Sequence, residues 1–190
     1  MPEPIRAAVL TVSDRCSRGQ TVDTSGPALQ ALCSDRLGAQ VVASACVPDE
    51  PQQIERALRE WVRRRPAIDL IVTTGGTGLS PRDHTPEAAM RVIERPHAGL
   101  MELARIRCLE KTPRTYLSRG VAGTAGRSLI LTLPGSRRGS TEMLEALLDI
   151  LPHAIATLRG EVKDDGRAEE ISSAQENACL PADRADHRAD

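Results

Sequence analysis

The chain has 190 residues, 40% of them hydrophobic, with 25 bases and 26 acids giving a net charge of −1, enough for one domain with its own core. One Trp, one Tyr and no Phe weigh against base stacking, and with a near-neutral charge they argue against a nucleic-acid binder. Five scattered cysteines without a C-x-x-C pair argue against a disulfide framework or zinc site, and no apolar run reaches the ~18 residues of a membrane span.

The elements follow in chain order. Residues 7–12 form a continuous apolar run and predict a buried strand. Ser25-Gly26-Pro27 opens a helix bearing Leu29, Leu32, Cys33 and Leu37, closed by Gly38. Residues 41–47 predict a second strand. Pro51 then starts a helix with the stripe Ile54, Ala57, Leu58, Trp61 and Val62, which assigns Trp61 to the core. Residues 68–72 predict a third strand leading into Thr73-Thr74-Gly75-Gly76-Thr77-Gly78. Thr85 is the expected N-cap of a helix with Pro86 at its first position, running to about Glu94. A further helix is expected over about 98–110, and residues 115–118 and 128–133 read as two more strands. Ser140 is the expected cap of the last helix, inside which Pro152 predicts a kink. From about residue 161 the periodicity ends. The stretch 161–190 holds nine acids and four bases, leaving +4 on the remainder, and reads as a disordered acidic tail behind a domain over 1–160.

Strands alternating with helices imply right-handed crossovers. The expected fold is an α/β three-layer sandwich, with a mostly parallel sheet flanked by helices on both faces. Ligands of such sheets bind beyond the carboxyl ends of the strands. Four polar loops fall there: Ser13-Asp14-Arg15, Pro48-Asp49-Glu50, the stretch from Gly75 to Asp83, and Pro134-Gly135-Ser136. The Thr74-Gly75-Gly76-Thr77-Gly78 segment is either a phosphate-binding loop, its glycines letting backbone N–H groups approach an anion, or a tight strand-to-helix turn. Asp49 and Asp83 can each end a turn or cap a helix. Two carboxylates beside a phosphate-type loop instead suggest bound Mg²⁺. Arg82, Arg119, Arg137 and Arg138 are candidates to balance remaining ligand charge.

These segments occur in a familiar order. Thr11-Val12-Ser13-Asp14, Ser25-Gly26-Pro27, Val47-Pro48-Asp49-Glu50, Gly75-Gly76-Thr77-Gly78 through Pro81-Arg82-Asp83 to Thr85-Pro86-Glu87, Leu117-Ser118-Arg119 and Leu133-Pro134-Gly135 together resemble the molybdopterin adenylyltransferase family over roughly 5–160. The resemblance implies the molybdenum-cofactor biosynthesis fold, a homotrimer, and transfer of AMP from Mg-ATP to the terminal phosphate of molybdopterin with release of pyrophosphate; the cysteine pattern and the lack of a membrane-length run add the expectation of a cytoplasmic protein. It implies that Asp49 and Asp83 are catalytic and hold the Mg²⁺. It also implies that Ser13, Asp14, Thr74, Gly75, Gly76, Thr77, Gly78, Ser118, Arg119, Pro134, Gly135 and Ser136 line the nucleotide and pterin sites. A downstream metal-insertion protein is the implied partner. Leu79, His84 and Arg137-Arg138 depart from the family pattern, where Phe, Val and Asn-Pro are usual. The alternatives are a MoaB-type paralogue, or a molybdopterin-binding carrier or scaffold without turnover.

Overall fold

The apolar run over residues 7–12 is unbroken by charge, so a strand here must be covered on both faces. A computed structural model, which describes residues 3–162, supplies that cover. The expected acidic tail lies outside the described residues from position 163 onward. The strands are β1 (Arg6–Val12), β2 (Gln40–Val47), β3 (Leu70–Thr74), β4 (Arg95–Pro96), β5 (Ala122–Ala125) and β6 (Ser128–Leu133), joined in one sheet of order β2-β1-β3-β6-β5-β4. The first four in that order are mutually parallel, and β5 and β4 are antiparallel additions at one edge.

The helices are α1 (Asp14–Ser17), α2 (Ser25–Leu37), α3 (Pro51–Val62), α4 (Thr85–Met90), α5 (Ala98–Cys108), α6 (Arg137–Glu145) and α7 (Leu151–Arg159), with a 3-10 helix at Pro113–Leu117. Ala7, Val9, Leu70, Val72, Leu129 and Leu131 face a core shared with α2, α5, α6 and α7. Ala8, Leu10, Ile71 and Ile130 face a second core closed by Ile54, Leu58 and Trp61 of α3 and by Ala88 and Ala89 of α4. This is the expected three-layer α/β sandwich. Trp61 is 7% exposed, and Gly38 ends α2 in the left-handed conformation at φ 63°.

Several local expectations are corrected. The third strand begins two residues later than expected, at Leu70. Thr85 lies inside the first turn of α4 instead of capping it, with its hydroxyl buried and without a hydrogen-bond partner among the described residues, and that helix stops at Met90. Residues 115–118 are not a strand. Thr112 accepts from the Arg114 N–H and Pro113 presets φ, so the chain coils into a 3-10 turn. Ser136, not Ser140, caps α6, accepting from Gly139 N at 3.2 Å. Ser140 is buried in the helix and donates to the Arg137 carbonyl. The expected kink is a break, because Pro152 sits in the first turn of a separate helix, α7.

Candidate active site

The carboxyl ends of β1, β2, β3 and β6 lie side by side, which brings the four predicted loops to one edge. They enclose a cavity of about 370 Å³ lined by Ser13, Asp49, Gly75, Gly76, Asp83 and Gly135, among others. Gly75 has φ 105° and Gly76 φ 63°, conformations that disfavour any side chain. A Cβ on Gly75 would also strike the Val12 carbonyl, and one on Gly76 the Thr85 hydroxyl. The loop is tied down from behind. Gly75 N donates to the Leu133 carbonyl at 3.1 Å, and the Thr74 hydroxyl donates to the Pro134 carbonyl at 2.7 Å. The next three N–H groups, of Gly76, Thr77 and Gly78, donate to no protein acceptor among the described residues. Free consecutive amides in a turned loop are an anion-binding arrangement.

Asp49 and Asp83 face this loop. One Asp49 oxygen, Oδ2, accepts from Asp14 N at 2.8 Å, and Asp83 Oδ2 accepts from Ser80 N at 2.9 Å. The other oxygen of each has no hydrogen-bond partner among the described residues. Burial raises the Asp49 pKa, opposed by the Asp14 N–H and reinforced by the negative charges of Asp14 and Asp83. Among the described residues, no three His, Cys, Asp or Glu side chains cluster to hold a metal by themselves. Two open carboxylate oxygens beside free amides suit a cation that completes its shell with phosphate and water.

The other predicted residues divide into those facing the cavity and those that hold it. Ser13 caps α1, its hydroxyl accepting from Cys16 N at 3.3 Å. Asp14 is a clamp: its carboxylate accepts from Asp49 N at 3.3 Å and from Arg82 at 2.8 Å, and the Arg82 bond holds its pKa down. Arg82 also bonds Glu50 at 2.9 Å, so its charge is engaged by the protein. Arg119 is a staple. Its backbone N–H bonds the Thr77 carbonyl at 2.8 Å, while its guanidinium bonds the Gly78 carbonyl at 2.8 Å, the Asp83 carbonyl and the Glu87 carboxylate. Ser118 and Thr77 share a hydroxyl–hydroxyl bond of 3.1 Å. Ser136 is the α6 cap, and neither it nor Pro134, Asp14, Thr77, Gly78, Ser118 or Arg119 is among the residues lining this cavity.

Sequence reasoning missed Asp23. Its carboxylate accepts from the N–H groups of Ser25 and Gly26, at 3.0 and 2.9 Å, and from the Thr11 hydroxyl at 2.6 Å. It thereby fixes the start of α2 against β1 and lines the cavity. An acid two residues ahead of Ser25-Gly26-Pro27 was the available signal.

Residues 8–153 match the family described as "Probable molybdopterin binding domain". The chain is 38% identical over 159 residues to the molybdopterin adenylyltransferase of Helicobacter pylori (strain J99), covering 83% of this chain and 90% of that one. It is 38% identical to the molybdenum cofactor synthesis protein cinnamon of Drosophila melanogaster, covering 94% of this chain but 30% of that protein. It spans less than half the length of the first curated relatives it matches. A crystal structure of the molybdopterin biosynthesis enzyme MoaB from Thermus thermophilus superposes with a TM-score of 0.77 at 49% identity, covering 82% of this chain and 97% of that one.

Proposed function

The chain belongs to the family of probable molybdopterin binding domains, and from that membership we propose that it transfers AMP from Mg-ATP to the terminal phosphate of molybdopterin. A phosphate oxygen of the pterin attacks the α-phosphorus of ATP. The bond from that phosphorus to the bridging oxygen breaks, and pyrophosphate leaves. The observation that carries this reading is the pairing of a glycine loop with three unengaged amides, entering the cavity at Gly75 and Gly76, with two half-open carboxylates that line the same cavity.

The reaction joins two anions, so positioning and charge stabilisation carry it, with little acid–base work. The amides of Gly76, Thr77 and Gly78 donate to nucleotide phosphate oxygens. Asp49 and Asp83 would hold Mg²⁺ through their unpartnered oxygens, with Asp83 as first ligand and Asp49 as second ligand or positioner. The ion supplies charge neutralisation at the phosphates when bound. Arg119 and Arg82 keep the loop and the carboxylates in place. Because the single tryptophan is committed to the α3 core, the flat rings of both substrates are held by glycine-backed peptide planes and aliphatic walls. The proposal includes a cytoplasmic homotrimer, handing its product to a metal-insertion protein, and a domain ending near residue 160.

Incubation of the purified chain with molybdopterin and Mg-ATP, with pyrophosphate and adenylylated pterin as readouts, tests this. Both products are expected, and Asp83→Asn is expected to abolish them. The 49% identity to the Thermus MoaB favours a second reading, a MoaB-type paralogue with weak or no transfer. Binding of both substrates without product would support it over the first.

A further inference from the structure

The amino edge of the sheet, opposite the glycine loop, carries a cavity of its own. Arg6 at the start of β1, Arg65 after α3, Arg127 in the turn between β5 and β6, and Arg159 at the end of α7 converge on about 270 Å³, together with Glu3 and Asp69. Four guanidinium groups against two carboxylates give this lining a formal charge of +2. Arg159 and Asp69 are spent on each other, at 2.6 Å. The other three arginines are not so satisfied. Arg6 Nε donates to the Ala67 carbonyl at 3.1 Å, and Arg65 donates to the carbonyls of Arg63 and Arg64 at 3.3 and 2.9 Å. Arg127 is exposed, and its guanidinium has no hydrogen-bond or ion-pair partner among the described residues. Like charges gathered around one space repel unless a counter-charge sits among them.

The backbone leaving α7 passes the rim of this cavity. Glu161 stands 3.5 Å from Arg159, so one carboxylate of the departing chain is already turned toward the lining. The sequence beyond is acidic: residues 163–170 hold Asp164, Asp165, Glu169 and Glu170 against Lys163 and Arg167, net −2. Asp164 and Asp165 follow Glu161 by three and four residues, a reach of up to about 10–14 Å, enough to cross a space of about 270 Å³. The run Arg63-Arg64-Arg65 then carries positive charge from the cavity onto the exposed face of α3, where Arg56 has no carboxylate partner among the described residues. That track lies within reach of Glu169 and Glu170. The opposite edge would repel the same segment, because Asp23, Asp49 and Asp83 line the glycine-loop cavity.

We propose that this arginine cavity is the docking site of the chain's own acidic segment, residues 163–170, with Asp164 and Asp165 seated among Arg6, Arg65 and Arg127. Attachment favours this occupant over a separate acidic peptide. A segment tethered a few residues away acts at an effective concentration of about millimolar, so pairs that are weak singly add up. Guanidinium groups suit it further, since each can grip a carboxylate with two parallel bonds. The docked segment shields the Arg159–Asp69 pair and joins the last helix to β1 and to the turn between β5 and β6. The proposal does not depend on the reaction at the opposite edge.

Backbone ¹⁵N relaxation of the full chain, at low salt and at about 1 M salt, reads the segment directly. At low salt the amides of 163–170 are expected to tumble with the body of the protein. At about 1 M, where the screening length falls to about 3 Å, they are expected to become mobile. The double variant Arg65→Glu, Arg127→Glu should release them at low salt. Both side chains are exposed, and neither bonds another element among the described residues, so the remaining resonances should be unchanged. Adding Asp164→Arg and Asp165→Arg to that variant should restore the restraint, which a damaged fold would not allow. Tryptic cleavage after Arg167, followed by mass spectrometry at low salt, should be at least about fivefold slower in wild type than in the double variant. Amides equally mobile at both salts, or unaffected by the double variant, would overturn the proposal. Restraint lost on dilution would seat the segment of a second chain in the cavity, and binding of an added tetra-aspartate peptide while 163–170 stay mobile would assign it to a separate acidic partner. Either outcome overturns the intrachain assignment.

Discussion

Asp49 is half-buried beside two other carboxylates, and its raised pKa has a definite consequence for stability. The folded chain binds this proton more tightly than the unfolded chain does. Ionised Asp49 therefore destabilises the fold at neutral pH, and the penalty fades as pH falls through its folded pKa. Asn at this position keeps an acceptor for the Asp14 N–H but carries no charge. Asp49→Asn should raise Tm at pH 7, with the difference from wild type shrinking toward acid pH in parallel thermal melts. The same change should lower turnover about 100-fold or more, because it removes an anionic ligand from the proposed cation site. Asp14 has the opposite sign: its Arg82 bond depresses its pKa, so its contribution is present at neutral pH and lost in acid. Gly75 is constrained by backbone alone. Gly75→Ala forces a Cβ onto φ 105° and into the Val12 carbonyl. It should cost roughly 1–3 kcal/mol, read as a Tm drop of at least about 2 °C.

At the level of elements, the start of α6 links stability to site shape, because Ser136 caps the helix directly after Gly135, which lines the glycine-loop cavity. Ser136→Ala should cost about 1 kcal/mol and lower Tm by about 2–4 °C in thermal melts. Ser140→Ala should cost less, because that hydroxyl only returns a bond to its own helix at Arg137. Sequence pattern could not separate these two serines, since both precede an apolar helical stripe. The parallel strands were legible because burial on both faces writes a continuous apolar run, as in β1 and β6. Strands β4 and β5 were not, being two and four residues long and, in β5, rich in small residues. Residues 115–118 carry strand-like Thr and Tyr, but the Thr112 cap and Pro113 before them decide the local backbone. Topology alone brought Asp49 and Asp83 to one edge, so the site was readable as a set of loops. The roles of Arg82 and Arg119 were not, because the partner of an arginine is chosen by tertiary contacts 30 or more residues away.

Across the whole molecule, the proposed chemistry and a major fastening occupy opposite edges of the sheet. At the amino edge, Arg159 at the end of α7 bonds both Asp69 oxygens, at 2.9 and 2.6 Å, and the carbonyls of Glu3 and Pro4. The two side chains are 5% and 4% exposed, so this pair joins the entry of β1, the approach to β3 and the end of the last helix in a nearly dry setting. Burial would push the Asp69 pKa up, but the bonds from Arg159 and the Arg6 N–H outweigh it and hold the carboxyl low. Its contribution is therefore complete above the usual carboxylate range and lost as pH falls through the depressed value. Arg159→Ala strands a buried carboxylate, an imbalance worth about 3–5 kcal/mol, and Tm should fall by at least about 6 °C. Since the carboxyl-edge loops make no bond to this cluster among the described residues, turnover per folded molecule should match wild type at a temperature where the variant is fully folded. Single-turnover rates on protein verified as folded by circular dichroism provide the comparison. A reduced rate there would mean that the amino-edge clamp also sets the geometry of the glycine loop, through the shared strand β3.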